Sequence, residues 1–441
     1  MKQRSPKFIL VVSFLILIAT GTVLLSLPAA TNKPISVMDA LFTATSAVTV
    51  TGLIVLDTPV DFTIFGQAVI LILIQMGGLG IMTFSLGLIS LISRSLSIKW
   101  QFTLMDIYGN NHKLPILKIL KQILIFTVIL EIFITVLLLP FFMMRFPFGM
   151  ALWHSLFHAV SSFCNAGFST FSDSLCGFSD SYYLNIVISI SIVFGGIGFL
   201  VIHDVVNNLR KKTIKKISVH TKIVLLTTIL LILSGAIFFY YYEYNFILKN
   251  SPIGEKITVS FFQSITCRTA GFNTIDIGKL QNNTLFFMII LMFIGGSPGS
   301  IAGGIKTTTL WVIVAIIISQ LRRHEQIKFF NRAVSRSTAE RATTLFILAM
   351  AIITTATLIV SGFEAHEGSV HFLDVLFEMG SAFGTVGLST GITTELNTVS
   401  RIITIIVMLT GRLGPLTFLA VFSEGYITNK IKYPEEHIMI G

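Results

Sequence analysis

Four glycines recur along the chain at nearly even intervals, and each lies in a similar local sequence. They are Gly52, Gly167, Gly271 and Gly387, separated by 104 to 116 residues. A phenylalanine precedes each glycine by ten residues, and a leucine or a phenylalanine follows it directly. A repeat of this kind predicts four similar structural units within one chain, which can surround a common axis.

The composition of the chain requires lipid as its solvent. Hydrophobic residues fill 53% of the 441 positions and charged residues only 12%, whereas a soluble protein carries about 25% charged residues. The net charge is +10, but the basic residues lie in short clusters between apolar runs. This pattern is typical of cytoplasmic membrane loops and argues against nucleic-acid binding. The three cysteines are too few for a disulfide framework and lack the paired spacing of a metal site.

The N-terminal apolar run has two interpretations. Lys2, Arg4 and Lys7 precede an apolar stretch over residues 8–27. A secretory signal peptide begins in this way, but its apolar region is shorter, whereas about 20 residues are enough to cross a bilayer. We interpret the run as a retained first spanning helix.

Each unit is predicted to hold two spanning helices with a short helix and a glycine loop between them. The short segments carry polar residues and cannot span, so we expect them to be re-entrant. The first spanning helices are predicted at 8–27, 115–142, 220–246 and 342–362. The short helices are predicted at 35–48, 151–163, 255–267 and 370–383. The second spanning helices are predicted at 64–93, 183–206, 283–320 and 399–426.

A second glycine marker supports the same register. Each second spanning helix carries a glycine cluster that begins 24 to 28 residues after the loop glycine. The clusters begin at Gly77, Gly195, Gly295 and Gly411. Two markers in four units indicate internal duplication. Only the third of these helices also contains a proline in its cluster, so we expect it alone to be broken.

The distribution of charge predicts the orientation. Most of the 31 basic residues lie before the first helix, between the units or after the last helix. That face is therefore expected to be cytoplasmic, with both termini inside a multi-pass protein of the cell membrane. Acidic residues such as Asp39, Asp57 and Asp173 gather on the opposite face, where they either concentrate cations or are ordinary solvated charges.

The glycine loops have the chemistry of a cation filter. Non-helical backbone is tolerated at membrane depth only where it lines a path or is buried in protein, and its carbonyls can replace the hydration shell of a cation. Glycine permits the positive φ that such a loop needs. None of the loops carries a carboxylate, which favours monovalent cations. The candidate filter residues are Thr49, Val50, Thr51, Gly52, Cys164, Asn165, Ala166, Gly167, Arg268, Thr269, Ala270, Gly271, Gly384, Thr385, Val386 and Gly387.

These patterns together predict an all-α integral membrane protein. Four pseudo-repeats of helix, pore helix, filter loop and helix surround one central pore, which gives eight spans and four re-entrant hairpins. The predicted pore repeats are 1–105, 106–215, 216–335 with the broken inner helix, and 336–441 with the C-terminal tail.

Six motifs carry a resemblance to a known family, and it extends over essentially the whole chain. They are AVTVTGL (47–53), CNAGFS (164–169), CRTAGFNT (267–274), GGSPGSIAGGIKTTT (295–309), GTVGLST (384–390) and GRLGPLT (411–417). With these motifs the chain resembles the Trk/Ktr/HKT superfamily of potassium transporters, and most closely its bacterial KtrB-type membrane subunits.

The resemblance implies a function and a set of partners. It implies potassium uptake through one carbonyl-lined filter in each subunit, a homodimer in the membrane, and regulation by a cytoplasmic nucleotide-binding ring of the KtrA type. Glycine at position 52 is the family pattern linked to K⁺, whereas serine there is linked to Na⁺ in some plant relatives. K⁺ is the cargo and the only metal expected; Na⁺ dependence stays open, and no cofactor is expected on this chain.

The second spanning helix of the third unit is interrupted by Pro298 and several glycines, which weaken a helix. One interpretation is a kinked, closely packed helix, and the resemblance implies an intramembrane gating loop below the filter. Lys306 is expected to anchor its end to acidic or carbonyl groups. The candidate gating residues are Gly295, Gly296, Ser297, Pro298, Gly299, Ser300, Ala302, Gly303, Gly304 and Lys306.

Two arginines need separate interpretations. Arg412 lies in the apolar fourth inner helix, where a charge is costly and faces a cavity or a partner. The resemblance implies an electrostatic barrier beneath the filter, and the alternative is a salt bridge between helices. Arg268 is a cation beside a cation filter, so we expect it to point away from the axis and to pin its loop against a helix end or an acidic residue.

Other function classes find little support. A membrane-embedded enzyme needs clustered ionisable residues at membrane depth, and the predicted spans offer almost none. His203 and Asp204 are adjacent but lack further metal ligands, and residues 303–307 lack the spacing of a phosphate-binding loop, so a nucleotide would act through a partner. A secondary transporter coupled to Na⁺ or H⁺ remains the alternative to a passive potassium pore, although its repeats are usually twofold.

Overall fold

The computed structural model describes residues 6–80, 116–210, 217–323, 326–329, 332–364 and 370–419. The first half holds α1 (Pro6–Leu25), α2 (Val37–Thr49), α3 (Thr58–Asp61), α4 (Ile64–Gly78), α5 (Ile116–Met143), α6 (Phe148–Phe163), α7 (Tyr182–Ile197) and α8 (Phe199–Arg210). The second half holds α9 (Val219–Glu243), α10 (Ile253–Thr266), α11 (Asn282–Phe293), α12 (Thr307–Leu321), α13 (Arg336–Glu364), α14 (Phe372–Gly384), α15 (Thr398–Leu413) and α16 (Pro415–Leu419). A two-stranded hairpin, which the all-α prediction did not include, joins β1 (Lys328–Phe329) to β2 (Arg332–Ala333).

The long apolar helices coincide with the predicted first spans. Four described helices, α1, α5, α9 and α13, are long and apolar enough to cross a membrane. Each leaves apolar side chains such as Ile16, Ile132, Ile237 and Leu358 exposed, which is the surface that lipid covers in a spanning helix. Their bounds lie close to the predicted ones because runs of this length and hydropathy are the clearest helix signal in a sequence.

The short helices α2, α6, α10 and α14 also form where they were predicted. They contain 13 to 16 residues, too few to cross a bilayer. The side chain of Ser36 caps α2 together with Asp39 in a capping box, and this arrangement satisfies two otherwise unpaired backbone groups at the helix start. Two of these helices, α2 and α14, end in a left-handed residue, so the chain turns sharply into the glycine loop.

The prediction that only the third inner helix is broken is wrong. Helices α7 and α8 meet at an angle of 97° across Gly198, whose φ is +92°. Helices α15 and α16 are separated by Gly414 with a φ of +81°. Helix α4 ends just before Gly80, which has a φ of +76°; the rest of the predicted 64–93 span lies outside the described residues. Positive φ at glycine ends an α-helix, so the glycine clusters are breaks as well as repeat markers.

These breaks shorten the inner helices. The helices that follow the glycine loops have 12 to 16 residues; they are α4, α7, α11 and α15. Their length is about 18–24 Å, which is less than the thickness of the hydrocarbon core, about 30 Å. Counting the bent pair α7 and α8 as one span, up to five spans meet the criteria of length and composition in the part of the chain that the structure describes.

The packing of the short helices is circular. Helix α6 packs against α4, α10 against α7, and α14 against α11. Helix α2 packs against α15, which belongs to the last quarter of the chain. Each short helix therefore contacts the inner helix of the preceding unit, and the first unit contacts the last.

The third short helix, α10, buries a phenylalanine one residue later than the other three short helices do. The phenylalanines ten residues before the first, second and fourth glycines are fully buried, at 0% exposure, whereas Phe261 is 39% exposed and its neighbour Phe262 is buried. The recurring phenylalanine of the sequence is thus a core residue in three units and a partly exposed residue in the third.

Candidate functional site

The four glycine loops, residues 49–52, 164–167, 268–271 and 384–387, have positive φ at the same two positions. In each loop the glycine has positive φ, at +91°, +70°, +78° and +93° in chain order. The residue two positions earlier also has positive φ, between +50° and +73°, although none of these residues is a glycine. The earlier positions are Val50, Asn165, Thr269 and Thr385. Positive φ is strained for the β-branched valine and threonines, more than for asparagine, and strained backbone clusters at functional sites.

The glycines of the four loops form a closed ring. A Cβ atom added to any of them would press on the backbone carbonyl oxygen of the next loop, so only glycine fits. The contacts pair Gly52 with Ala166, Gly167 with Ala270, Gly271 with Val386, and Gly387 with Thr51. Because the last contact returns to the first loop, the four predicted filter segments surround one common point.

Hydroxyl groups of the short helices hold the loops from behind. The backbone amides of Gly52 and Gly387 each donate to a serine Oγ at 3.0 Å, on Ser46 and Ser381 respectively. In the other two loops a hydroxyl donates at 2.7 Å to the carbonyl that follows the glycine; the donors are Ser161 and Thr266. Our sequence reasoning missed these residues, although a serine six residues before the glycine recurs in three units.

The structure buries the predicted filter side chains. Thr49 and Thr51 hydrogen-bond each other at 2.7 Å in the first loop, and both are fully buried. Cys164 and Ala270 are fully buried as well. The loops therefore pack these side chains into protein and meet one another through backbone atoms at their glycines.

In the part of the chain that the structure describes, Arg268 forms no ion pair with an acidic residue, which was one of the two anchors that the sequence suggested. Its side chain is 7% exposed, and its Nε atom is buried without a hydrogen-bond partner. The ion pairs found across the described ranges are Lys279 with Asp276, Arg336 with Glu340, and Arg401 with Asp39. The acidic residue that the sequence offered as one of two anchors for Arg268 is thus not found there, and the other anchor, a helix end, stays a prediction.

The broken segment, residues 294–306 between α11 and α12, is held by backbone hydrogen bonds at both ends. Gly295 N donates to Ile305 O at 2.9 Å, and Ile305 N donates to Phe293 O at 3.2 Å. The two ends of the segment therefore lie side by side, and the residues between them form a closed loop.

The break between α7 and α8 supplies the binding partners of this loop. Ser297 N donates to Gly196 O at 3.1 Å, and Ile301 N donates to Gly195 O at 3.3 Å. The Ser297 hydroxyl also donates to Gly196 O at 3.0 Å. In return, Phe199 N donates to Gly299 O at 3.3 Å. Carbonyls released at the end of α7 thus find partners in the broken segment, as buried backbone groups must.

The broken segment lies directly against the glycine loops. A Cβ atom on Gly303 would overlap the side chain of Thr385. A Cβ atom on Gly304 would lie 3.4 Å from the Cα atom of Gly384. The small residues of the segment therefore allow it to pack closely behind the fourth loop. Lys306 ends the segment and donates to the carbonyl of Ala302.

Arg412 connects the broken segment to the end of α4. Its guanidinium donates to Ile301 O, to Gly77 O at 2.5 Å and to Gly78 O at 3.3 Å. Each of these acceptors is a backbone carbonyl at a helix break. Within the described part of the chain Arg412 takes part in no ion pair, so the salt-bridge alternative has no partner there.

A cavity of about 330 Å³ lies beside these cations. Its lining includes Phe14, Thr127, Ile301, Lys306 and Arg412. Apolar and cationic groups share its wall, so a cation entering it would meet a positive potential next to the broken segment.

Glu131 is an intramembrane carboxylate that our sequence reasoning overlooked. It lies on α5, is 7% exposed, and its Oε1 atom is 3.9 Å from the Sγ atom of Cys164 in the second glycine loop. Cys164 also contacts Gln75 of α4 at 3.5 Å. One glutamate leaves the mean hydropathy of the run at 121–143 as high as 2.7, so it does not stand out in the sequence, but such residues are rarely without a function.

Asp204 has a structural partner. Its carboxylate accepts from Thr221 Oγ1 at 2.6 Å and from Ser218 N at 3.1 Å, so it fastens α8 to the start of α9. Among the residues that the structure describes, no three His, Cys, Asp or Glu side chains are grouped as metal ligands.

Comparisons with known proteins show the family of this chain. Residues 2–429 match the family described as "TrkH: Cation transport protein". The chain is 37% identical to the Ktr system potassium uptake protein B of Bacillus subtilis (strain 168), over 99% of this chain and 97% of that protein. It is 36% identical to the potassium/sodium uptake protein NtpJ of Enterococcus hirae, over 100% and 98% of the two chains.

A solved structure supports the fold. The crystal structure of the potassium transporter TrkH from Vibrio parahaemolyticus superposes with a TM-score of 0.78, covering 96% of this chain and 86% of that one at 19% identity. Since the family match extends over nearly the whole sequence, the chain belongs to the TrkH family of cation transport proteins and is a transporter, not an enzyme.

Proposed function

We propose that this chain takes up potassium across the cell membrane through a single filter made of the four glycine loops. The observation that carries the proposal is the ring in which each loop glycine abuts the carbonyl of the next loop. The relatives named for potassium uptake, and for potassium and sodium uptake, support the choice of cation.

Backbone carbonyls would select the ion. In each loop the two positive φ values turn successive carbonyls away from helical directions, so that they can replace the water around a dehydrated monovalent cation. The short helices α2, α6, α10 and α14 end at these loops, and their negative C-terminal dipoles favour a cation there. Serine and threonine hydroxyls keep the loops at a fixed diameter.

The broken segment would act as the gate. It packs against the fourth loop. It is also hydrogen-bonded to the break between α7 and α8, and we call these hydrogen bonds the latch. Arg412 binds the same segment from the side of α4, and its charge would repel a cation until the segment moves. Release of the latch would open a path from the filter to the cytoplasm.

The wider assembly is also a proposal. The circular packing of short and inner helices supports four pore repeats at 1–105, 106–215, 216–335 and 336–441, with eight broken or continuous spans. Both termini would be cytoplasmic. Most of the predicted cytoplasmic loops and the tail lie outside the described residues. A homodimer and a cytoplasmic nucleotide-binding partner would complete the transporter; the Ktr system proteins among the relatives support this view.

Flux through the purified protein tests the function. Liposomes containing the chain are expected to take up K⁺ or Rb⁺ down a gradient of that ion alone, and to take up Na⁺ more slowly. Liposomes without protein serve as the control. Uptake that occurs only when a Na⁺ or proton gradient is supplied would replace the passive pore by coupled transport, and absence of K⁺ preference would reject the potassium assignment.

Substitution of the latch serine is expected to raise flux. Ser297→Ala removes the hydroxyl that donates to Gly196 and Ile197, which weakens the closed state by about 1 kcal/mol and raises K⁺ flux about fivefold. The matched control is Ser300→Ala, because among the described residues Ser300 Oγ donates only inside the segment, to Ser297 O at 2.7 Å. Equal flux in both variants and the wild type, measured per protein in liposomes, would argue against the latch.

A further inference from the structure

Glu378 is a fully buried carboxylate behind the fourth glycine loop. It lies on α14 with 0% exposure. Its Oε1 atom accepts from Ser389 Oγ and, at 3.1 Å, from Thr390 N. Its Oε2 atom accepts from Thr393 Oγ1 at 2.8 Å. A buried carboxylate is tolerated only when it is bonded in this way, so the three donors and the acid form one unit.

The donors all belong to the segment that leaves the fourth loop. Residues 389–393 begin two positions after Gly387. Ser381 holds the amide of Gly387 itself, and Glu378, nearly one helical turn earlier on α14, holds the exit of the loop. The short helix therefore fixes the loop at two points, on either side of Leu388.

The second unit repeats this arrangement with different chemistry. His158 lies nine residues before its loop glycine, as Glu378 does, and Ser169 lies two residues after it, as Ser389 does. His158 Nε2 and Ser169 Oγ are 3.1 Å apart. Two units thus place a hydrogen-bonding side chain at the same register to hold the same loop position, which indicates a function of the position itself.

The exit of the fourth loop is also tied to the first unit. Arg401 donates to Thr394 O at 2.9 Å and to Leu396 O at 2.8 Å. The same guanidinium pairs with Asp39 of α2 at 2.5 Å. Movement at residues 389–396 would therefore shift the contact between Arg401 of the fourth unit and Asp39 of the first.

We propose that Glu378 is a positioning residue for cation selectivity: it fixes the exit of the fourth glycine loop, and with it the diameter at which the ring binds a monovalent cation. This inference rests on the proposed function of the loops as a filter. Without the carboxylate, residues 389–393 lose their common acceptor, and the fourth loop can relax to admit the smaller Na⁺ ion or lose hold of K⁺.

Three variants test the proposal through the ratio of Rb⁺ to Na⁺ uptake in liposomes. Glu378→Ala is expected to lower this ratio about tenfold, since it leaves several buried donors unpaired. Glu378→Gln keeps the shape and an acceptor for Ser389 and Thr390, and its amide can donate to Thr393, so a ratio within about twofold of the wild type is expected. Val375→Ala controls for lost packing, because Val375 is buried on the same helix but a valine side chain makes no hydrogen bond; its ratio is expected to be unchanged.

A second route avoids dependence on one variant that fails to fold. The double change Ser389→Ala and Thr393→Val leaves Glu378 in place and removes two of its donors, and a lowered ratio is again expected. Wild-type ratios in both this variant and Glu378→Ala would overturn the inference, as would an equal loss in Val375→Ala. Gly387→Ser separates the filter hypothesis from the positioning hypothesis. If the ratio changes in Gly387→Ser but not in the Glu378 variants, only the positioning role of Glu378 is rejected. If the ratio is unchanged in Gly387→Ser, the filter itself is rejected.

Discussion

Serine at position 387 is expected to reduce selective K⁺ uptake by about tenfold or more. Gly387 has a φ of +93°, which strains any L side chain. Its new Cβ atom would also overlap Thr51 O and lie 2.9 Å from the Cα atom of Gly52, so the first loop has to move. The measurement is K⁺ or Rb⁺ uptake against Na⁺ uptake in liposomes, normalised to the amount of folded protein.

Two other glycines separate strain from ring geometry. Gly414 has a φ of +81° with open space at its Cβ position, and Gly362 has open space without positive φ. Gly414→Ser therefore reproduces the strain without the contact, and Gly362→Ser reproduces neither. Both are expected to retain the wild-type cation preference. A loss of preference in Gly414→Ser as large as in Gly387→Ser would show that strain, and not the ring, explains the effect.

Removal of residues 297–304 is expected to raise K⁺ flux about tenfold or more. The deletion takes away the hydrogen bonds between the broken segment and the residues around Gly198, each of which contributes about 1 kcal/mol. The ends of the segment can be joined because Gly295 N already donates to Ile305 O at 2.9 Å. Flux is measured in liposomes under a K⁺ gradient.

The cation preference of this deletion variant serves as its internal control. The glycine loops keep their contacts with one another, so the ratio of K⁺ to Na⁺ uptake is expected to change little while flux rises. Flux equal to that of the wild type would mean that the segment is not the gate, and the kinked-helix interpretation would then stand.

The sequence could predict the elements that a single strong signal determines. The long helices α1, α5, α9 and α13 follow from uninterrupted apolar runs, and the short helices follow from segments that are too short to span. Positive φ at the four loop glycines follows from their recurrence, because only glycine accepts it without steric cost. The family itself was recognisable from the loop motifs.

The remaining features depend on contacts between distant residues. The breaks at Gly198 and Gly414 were hidden because an apolar helix tolerates glycine, and whether it bends there depends on what receives the released carbonyls. Here the Ser297 hydroxyl donates to one of these carbonyls, Gly196 O, at the end of α7. The one-residue shift of α10 and the partners of Glu378 likewise appear only when the units are packed together. The unpaired Nε of Arg268 could not be anticipated from charge pattern alone.

The position of a bound ion tests the central claim most directly. Crystals of the protein grown in Rb⁺, which replaces K⁺ and scatters anomalously, would locate the ion without any substitution. Anomalous density is expected at the centre of the ring, among the carbonyl oxygens of Thr51, Ala166, Ala270 and Val386. Well-ordered glycine loops without density there, together with Rb⁺ bound at another place in the membrane domain, would contradict the proposal that these four loops form the potassium filter.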